Sequence, residues 1–427
     1  MSLIVQKYGG SSVADAESIK RVARRIVETK RAGHQVVVVV SAMGDTTDEL
    51  LDLAGAITAG PPLREMDILL SSGERMSMSL MAMAIDALGE SAQSFTGSQA
   101  GMITDAIHGK ARIIEVSPDR VQESLDAGHI GIVAGFQGMS RESKDITTMG
   151  RGGSDTTAVA LAAALKADAC EIYTDVDGVF TADPRVVKTA SKIDQISSED
   201  MLELAAAGTK VLHLRSVEYA RRFGVKLHVR SSFSEHEGTW VIPDPHDTVS
   251  IQEGEPLEQP IISGVAHDDS EAKMTIIGVQ DVPGKSSEIF NLLADVGTNI
   301  DMIVQNIADE SQKTNISFTL PAADGEKSME ILNAHQDSIG FESLKYDSQV
   351  GKVSLIGGGM RHHPGVSARF FTALRDADIN IQLISTSEIR VSVITDVKDL
   401  TKAVRAIHTA FDLDADQEAT VYAGTGR

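Results

Sequence analysis

The chain has one cysteine, no long apolar run and a deficit of positive charge, and each lack narrows what it can be. Cys170 alone excludes an intrachain disulfide and fits a reducing compartment. It lies in Ala167-Asp168-Ala169-Cys170-Glu171-Ile172-Tyr173, where a small buried strand residue is the plain reading. No apolar run approaches the ~18 residues of a membrane span, and the first residues show no basic-plus-apolar signal. The expectation is a cytoplasmic protein. Lysine and arginine number 39 against 61 aspartates and glutamates, a formal net charge of −22. So acidic a surface argues against general nucleic-acid or anionic-membrane binding. It does not forbid an anionic ligand, because local cations make a site. The 12 histidines show no metal-ligand spacing, and His362-His363 are adjacent rather than four apart. No protein-bound metal is expected.

What is present is ordinary in bulk and specific in detail. At 427 residues, with 42% hydrophobic and 23% charged, the chain should hold two or three domains with substantial cores. Residues 2–8 read as a strand ended by Gly9 and Gly10, and a helix follows from Asp15 with Ile19, Val22, Ala23, Ile26 and Val27 at helical spacing. Val36 to Val40 is a β-branched run that should be a strand covered on both faces. The rhythm recurs at Ile130 to Ala134 and at Glu171 to Tyr173. This predicts an α/β fold, a doubly wound, mostly parallel sheet sandwiched by helices. Ligands in such folds bind at the carboxyl ends of the strands.

A Pro-, Asp-, Glu- and His-rich stretch from Ile242 to Gln259 reads as a linker. Beyond it, Gly278, Pro283-Gly284, Phe290, Leu293 and Asn299-Ile300 reappear as Gly359, Pro364-Gly365, Phe371, Leu374 and Asn380-Ile381, each pair offset by 81 residues. Each copy reads as the start of a ferredoxin-like β-α-β-β-α-β unit. The expected division is a catalytic domain over 1–245, a linker over 246–262, and two such units over 263–348 and 349–427.

Three loops carry the chemistry. Lys7-Tyr8-Gly9-Gly10-Ser11-Ser12 joins a cation to glycines whose backbone can approach a phosphate, without being a Walker A loop. Gly150-Arg151-Gly152-Gly153-Ser154-Asp155 leads into an Ala-rich helix whose N-terminus suits an anion. Arg151 can clamp a carboxylate; Ser154 or Asp155 could equally be a plain N-cap. Thr174-Asp175-Val176-Asp177-Gly178 with Asp183-Pro184-Arg185 is acidic and turn-rich, but lacks the spacing of a calcium loop. Ser72-Gly73-Glu74-Arg75 reads as the start of a helix through Met76, Met78, Met81 and Met83, methionines better taken as core than as a ligand box. Glu74, at that loop–helix junction, could receive an ammonium or serve the helix dipole. Together the loops suggest phosphoryl transfer from ATP to a small acidic molecule.

These segments, with Lys210-Val211-Leu212-His213, resemble the amino-acid kinase superfamily, and within it the aspartate kinases of the actinobacterial single-function type with tandem ACT domains. The resemblance spans essentially the whole chain. It implies that Lys7 bridges the transferring phosphoryl group, helped by Gly9 and Gly10, and that Asp155 holds the cationic groups in place. It implies ATP contacts from Lys7, Tyr8, Gly9, Gly10, Ser41, Thr174, Asp175, Phe180, Asp183, Arg185 and Lys210, with Mg²⁺ carried by the nucleotide. Arg151 would take the substrate α-carboxylate and Glu74 its α-ammonium, near Ser41, Thr47, Gly152, Gly153 and Ser154. Phe180 is tyrosine and Asp177 proline in many relatives; neither departure touches the reacting groups. Other readings stay open: a kinase of glutamate, acetylglutamate or a nucleotide, or a chain that only senses amino acids.

Tandem ACT units imply feedback by effector amino acids, lysine and threonine together, and a homo-oligomer formed through those units. Some relatives add a short regulatory subunit equal to their own C-terminal part. The repeat places Asn299, Ile300 and Asp301 at the turn equivalent to Asn380 and Ile381, and makes Gln305 and Thr386 equivalent on the following strands, facing the same pocket. These seven residues are the expected effector contacts.

Overall fold

The computed structural model describes residues 2–242, 261–306, 312–358, 360, 363 and 365–423. The expected linker lies almost wholly outside the described residues, as do Gly359, His362 and Pro364. An eight-stranded sheet runs, in spatial order, Gln195–Ser197, Thr239–Ile242, Leu227–Ser231, Ala169–Thr174, Leu3–Tyr8, Gln35–Val40, Ile130–Ala134, Ala92–Phe95. Neighbours are parallel except Leu227–Ser231 with Thr239–Ile242. The valine run sits inside this sheet, and its two-residue alternation splits between two cores. Val36, Val38 and Val40 pack with the helix Ala16–Arg31 and with Met78, Met81 and Ile85 of the helix Leu63–Asp86. Val37 and Val39 pack on the other face with the helix Gly153–Leu165. The first helix is capped by Asp15, whose carboxylate accepts Ser18 N–H at 2.8 Å.

One helix differs from expectation. Ser72-Gly73-Glu74-Arg75 does not open a helix but lies in the middle of Leu63–Asp86. A Cβ on Gly73 would stand 2.7 Å from Ala42 Cβ, so this glycine marks a close approach of the helix to the loop after the valine strand. The methionines read as core divide in two. Met78 and Met81 are buried, whereas Met76 and Met83 are exposed.

The C-terminal units are also divided differently. Glu271–Gln280, Lys285–Asp295, Ile303–Gln305, Lys313–Pro321, Gly325–Ala334 and Ser343–Asp347 form a complete β-α-β-β-α-β unit. The second unit has Val350–Gly358, Gly365–Asp376, Leu383–Thr386, Arg390–Asp396 and the helix Val397–Ala410, but no following sheet strand among the described residues. Its fourth strand position is taken by Ile261–Asp268, antiparallel to Val350–Gly358. Ser263–Asp268, expected in the first unit, therefore belongs to the sheet of the second. The first unit is inserted between the strands of its neighbour. Residues 411–423, expected in the second unit, run back onto the catalytic domain, with bridges Ala190 to Asp414 and Val176 to Val421. Among the described residues no helix is long and apolar enough to cross a membrane.

Candidate active site

Strand alternation sends Lys7 to the face of Val5, toward the helix Gly153–Leu165. Lys7 Nζ lies 2.6 Å from Asp155 Oδ1, both side chains mostly buried. The helix begins after Gly152, whose left-handed backbone (φ 71°) ends the loop without a side-chain cap. Neither Ser154 nor Asp155 is the cap, and the Asp155 carboxylate is free to hold the lysine. The loop is packed to the limit. A Cβ on Gly152 would fall 2.0 Å from the His213 ring, and one on Gly10 would press at 3.0 Å on the carbonyl oxygens of Ala42 and Gly44. Gly9 lies beside Lys7, its notional Cβ 3.5 Å from the Nζ.

A cavity of about 1060 Å³ opens at this point, lined by Lys7, Ser41, Thr47, Glu74, Arg151, Gly152, Gly153, Ser154 and Asp155 among others. All the residues expected to hold the substrate thus share one cavity. Arg151 is exposed. Glu74 is 3% exposed; its Oε1 accepts Ala42 N–H at 3.3 Å, and its Oε2 meets no partner among the described residues. Burial raises this carboxyl from 4.5 to about 7. A cation in the cavity would both pair the oxygen and favour its ionised form.

A second cavity, of about 350 Å³, adjoins the first through Gly10, Gly44 and Gly208 to Lys210. Thr174, Asp175, Phe180, Asp183, Arg185 and Lys210 all line it. Arg185 is fixed by two carboxylates, 2.5 Å from Asp175 and 3.4 Å from Asp183. One expected contact is absent. Alternation turns the Tyr8 side chain to the opposite face, where it is fully buried and stacked on Tyr173 at 4.6 Å. It cannot reach a nucleotide in this cavity. Cys170 is buried and its thiol is pushed up by that burial, which keeps it out of the chemistry.

Sequence reasoning missed other residues at the site. Asp67 lines the larger cavity and fixes its rim, accepting His108 Nδ1 at 2.5 Å, Thr148 Oγ1 at 2.5 Å and Gly109 N–H at 3.1 Å. No local pattern marks it. Val265, Ala266 and His267, from the strand completing the second C-terminal unit, line the smaller cavity. The left-handed Gly208 (φ 115°) is the one trace of them, since a Cβ there would meet His267 O at 2.2 Å.

In the C-terminal units the expected effector residues line neither of the two cavities described above. Asn299 and Asn380 are exposed at equivalent turns, with Ile300 and Ile381 packed beneath them on their own cores. Gln305 and Thr386 are exposed at the ends of equivalent edge strands. The Asp301 carboxylate is already engaged, 2.7 Å from the buried Lys352 of the other unit, which also holds Glu271 at 2.5 Å.

Fold and site together define a small-molecule kinase of the open parallel-sheet type. The model of the amino acid kinase family matches residues 2–231, and that of the ACT domain matches 274–336 and 353–411. The aspartokinase of Mycolicibacterium smegmatis is 60% identical over the full length of both chains. Among solved structures, E. coli aspartokinase III with aspartate and ADP superposes with a TM-score of 0.82 at 24% identity, covering 96% of this chain and 100% of that one. The same enzyme with lysine and aspartate gives 0.69 at 25% identity, covering 95% and 99%. The chain belongs to the amino acid kinase family and, within it, to the aspartokinases.

Proposed function

We propose that the chain transfers the γ-phosphoryl group of ATP to the β-carboxylate of L-aspartate, giving 4-phospho-L-aspartate and ADP. This would be the first step toward lysine, threonine and methionine, carried out in the cytoplasm. The observation that supports it best is the buried, half-unpaired Glu74 facing the same cavity as Arg151 and Lys7. A free α-amino acid brings one ammonium and one carboxylate, and this pair offers one partner to each. An N-acetylated substrate has no charge for Glu74.

The β-carboxylate ionises near ~3.9 and needs no general base at pH 7. The difficulty is repulsion between it and the triphosphate, so the site must neutralise and align. Lys7, oriented by Asp155, supplies positive charge where the new oxygen–phosphorus bond forms and the bond to the β-phosphate oxygen breaks. Gly9 and Gly10 let backbone N–H groups approach the same oxygens. ATP arrives with Mg²⁺, held mainly by phosphates and water, which adds further neutralisation. Thr174, Asp175, Phe180, Asp183, Arg185 and Lys210 hold the nucleotide. ADP release measured with aspartate, glutamate and N-acetylglutamate tests the assignment. Aspartate should be much the best acceptor; a preference for N-acetylglutamate overturns it.

We further propose feedback inhibition by end-product amino acids, lysine and threonine together. Ile303–Gln305 and Leu383–Thr386 are edge strands of their sheets among the described residues, and edges tend to pair. A second copy, or a short subunit equal to the C-terminal part, would pair there. Asn299, Ile300, Asp301, Gln305, Asn380, Ile381 and Thr386 would then face effectors at the interfaces. The likeness to E. coli aspartokinase III captured with lysine supports an amino-acid effector.

A further inference from the structure

The wall of the smaller cavity is held from outside by the end of the chain. Residues 175–191 carry Asp175, Phe180, Asp183 and Arg185, yet among the described residues their one strand ladder pairs Val179–Phe180 with Lys192–Ile193. The remaining backbone groups need other partners, and residues 408–422 supply several of them. His408 Nε2 meets Thr181 Oγ1 at 2.8 Å as the last helix ends. Asp414 accepts Thr189 Oγ1 at 2.5 Å, and Ala415 N–H donates to Thr189 O at 2.7 Å. Ala419 N–H donates to Lys188 O at 2.8 Å. Tyr422 N–H donates to Asp175 O at 2.9 Å, its hydroxyl donates to Asp177 Oδ2 at 3.1 Å, and its ring stacks on Phe233.

One of these contacts falls on a cavity-facing residue itself, and the others fall on the segment that carries the rest. Asp175 takes Arg185 with its carboxylate while Tyr422 holds its carbonyl. From the other side, Val265 N–H of the regulatory strand donates to Thr181 O at 2.7 Å. The segment is thus gripped between two parts of the second C-terminal unit, and removing either strips carbonyls of these partners.

We infer that the C-terminal tail, residues 411–423, is a positioning element of the nucleotide site that keeps Asp175 and Arg185 in the ATP-receiving arrangement. The inference rests on the nucleotide reading of the smaller cavity. It makes ATP affinity the property through which the second unit reaches catalysis.

The test uses three variants of the full-length enzyme: a chain ended at Leu413, Tyr422→Pro, which deletes the N–H and the ring, and Tyr422→Phe, which keeps both. ADP is titrated by calorimetry, and KM values are measured for ATP and aspartate. The truncation and Tyr422→Pro should weaken ADP binding and raise the ATP KM by about tenfold, the loss of one or two hydrogen bonds' worth of order. The aspartate KM should stay within about twofold, and Tyr422→Phe should bind ADP within about threefold of the parent, losing a single partly exposed bond. Unchanged ADP affinity in a folded truncation, or an equal rise in both KM values, overturns the proposal. Should the truncated chain not fold, Tyr422→Pro decides by the same criteria. An intact chain whose ADP affinity ignores Arg185→Ala would overturn the nucleotide reading itself, and this inference with it.

Discussion

At the catalytic sheet edge polar side chains face inward across shared cavities, whereas in the C-terminal units the expected contacts stand outward on turns and edge strands. The Lys7 and Asp155 side chains are 13% and 11% exposed and meet at 2.6 Å. Asn299, Gln305, Asn380 and Thr386 are exposed, and Asp301 is committed to Lys352. The first arrangement is complete in one chain, because crossover helices deliver every loop to the same edge of the sheet. The second lies open among the described residues, and a surface of that kind becomes a site when another surface covers it. The second unit spans both regimes, since one of its strands lines the smaller cavity and its tail packs behind that wall.

Breaking the catalytic side should have the largest effect. Lys7→Ala removes the cavity-lining cation that Asp155 holds, and on the proposed reaction kcat should fall by ~10²–10³, the size found for one electrostatic donor. Circular dichroism should show the fold intact. Near-normal turnover would mean that the charge is supplied elsewhere. Next comes the joint between the two C-terminal units. Lys352→Ala would strand the Glu271 carboxylate, which burial already pushes upward, beside Asp301. Removing one partner of a buried pair costs ~3–5 kcal/mol, and water around the one-third-exposed Asp301 favours the lower end. Denaturant unfolding should report that loss, while the ADP affinity of the folded enzyme changes little.

Substrate anchoring should respond more mildly and with a pH signature. Arg151→Ala and Glu74→Gln should each raise the aspartate KM by about tenfold or more, the scale of a charge-assisted bond, and the ATP KM far less. A change falling mainly on ATP would take both residues out of the aspartate site. Burial raises Glu74 from 4.5 to about 7, so the folded chain keeps a proton that the unfolded chain has lost between those values. The stability this group contributes is present below about 4.5 and is lost as pH rises through about 7. Glu74→Gln should therefore melt above the parent at alkaline pH, the gap closing toward acid. In the parent, the aspartate KM should fall as pH rises through about 7, and in Glu74→Gln this limb should vanish.

The sequence made the catalytic edge legible because each loop announces itself locally. The valine run marks a central strand, and the glycines of Gly9-Gly10 and Gly150 to Gly153 mark backbone that must be close or left-handed. What stayed hidden depends on partners distant in the chain. Ser72 to Arg75 reads as a helix start, whereas Gly73 is there for the close approach of Ala42 inside a longer helix. Tyr8 shares a motif with Lys7, yet strand alternation alone should have sent it to the other face. The 81-residue repeat shows both units but not that Ile261–Asp268, ahead of the first, supplies the fourth strand of the second. Residues 411–423 have no periodicity, so nothing local announces that they return to the wall of the smaller cavity.

The smallest expected effect bears on the exposed side of the comparison. Gln305 and Thr386 occupy equivalent ends of the two edge strands, and neither approaches the catalytic cavities. Among the described residues Gln305 makes one long contact, its Nε2 donating to Asp281 Oδ1 at 3.4 Å. Such weakly held amides and hydroxyls are free to bind an amino acid's ammonium or carboxylate once a second surface closes over them. Replacing either by alanine removes about one hydrogen bond, so the inhibitor concentration for half-inhibition should rise by several-fold, on the order of 1 kcal/mol. The kcat without effector should be near that of the parent. Titrating lysine and threonine, singly and together, against both variants reads this directly. Relief of inhibition at normal turnover would establish two coupled but separate sites, the least that the word allosteric requires. Unchanged inhibition in both variants would reduce these strands to a dimerising edge and move the effector contacts elsewhere on the units.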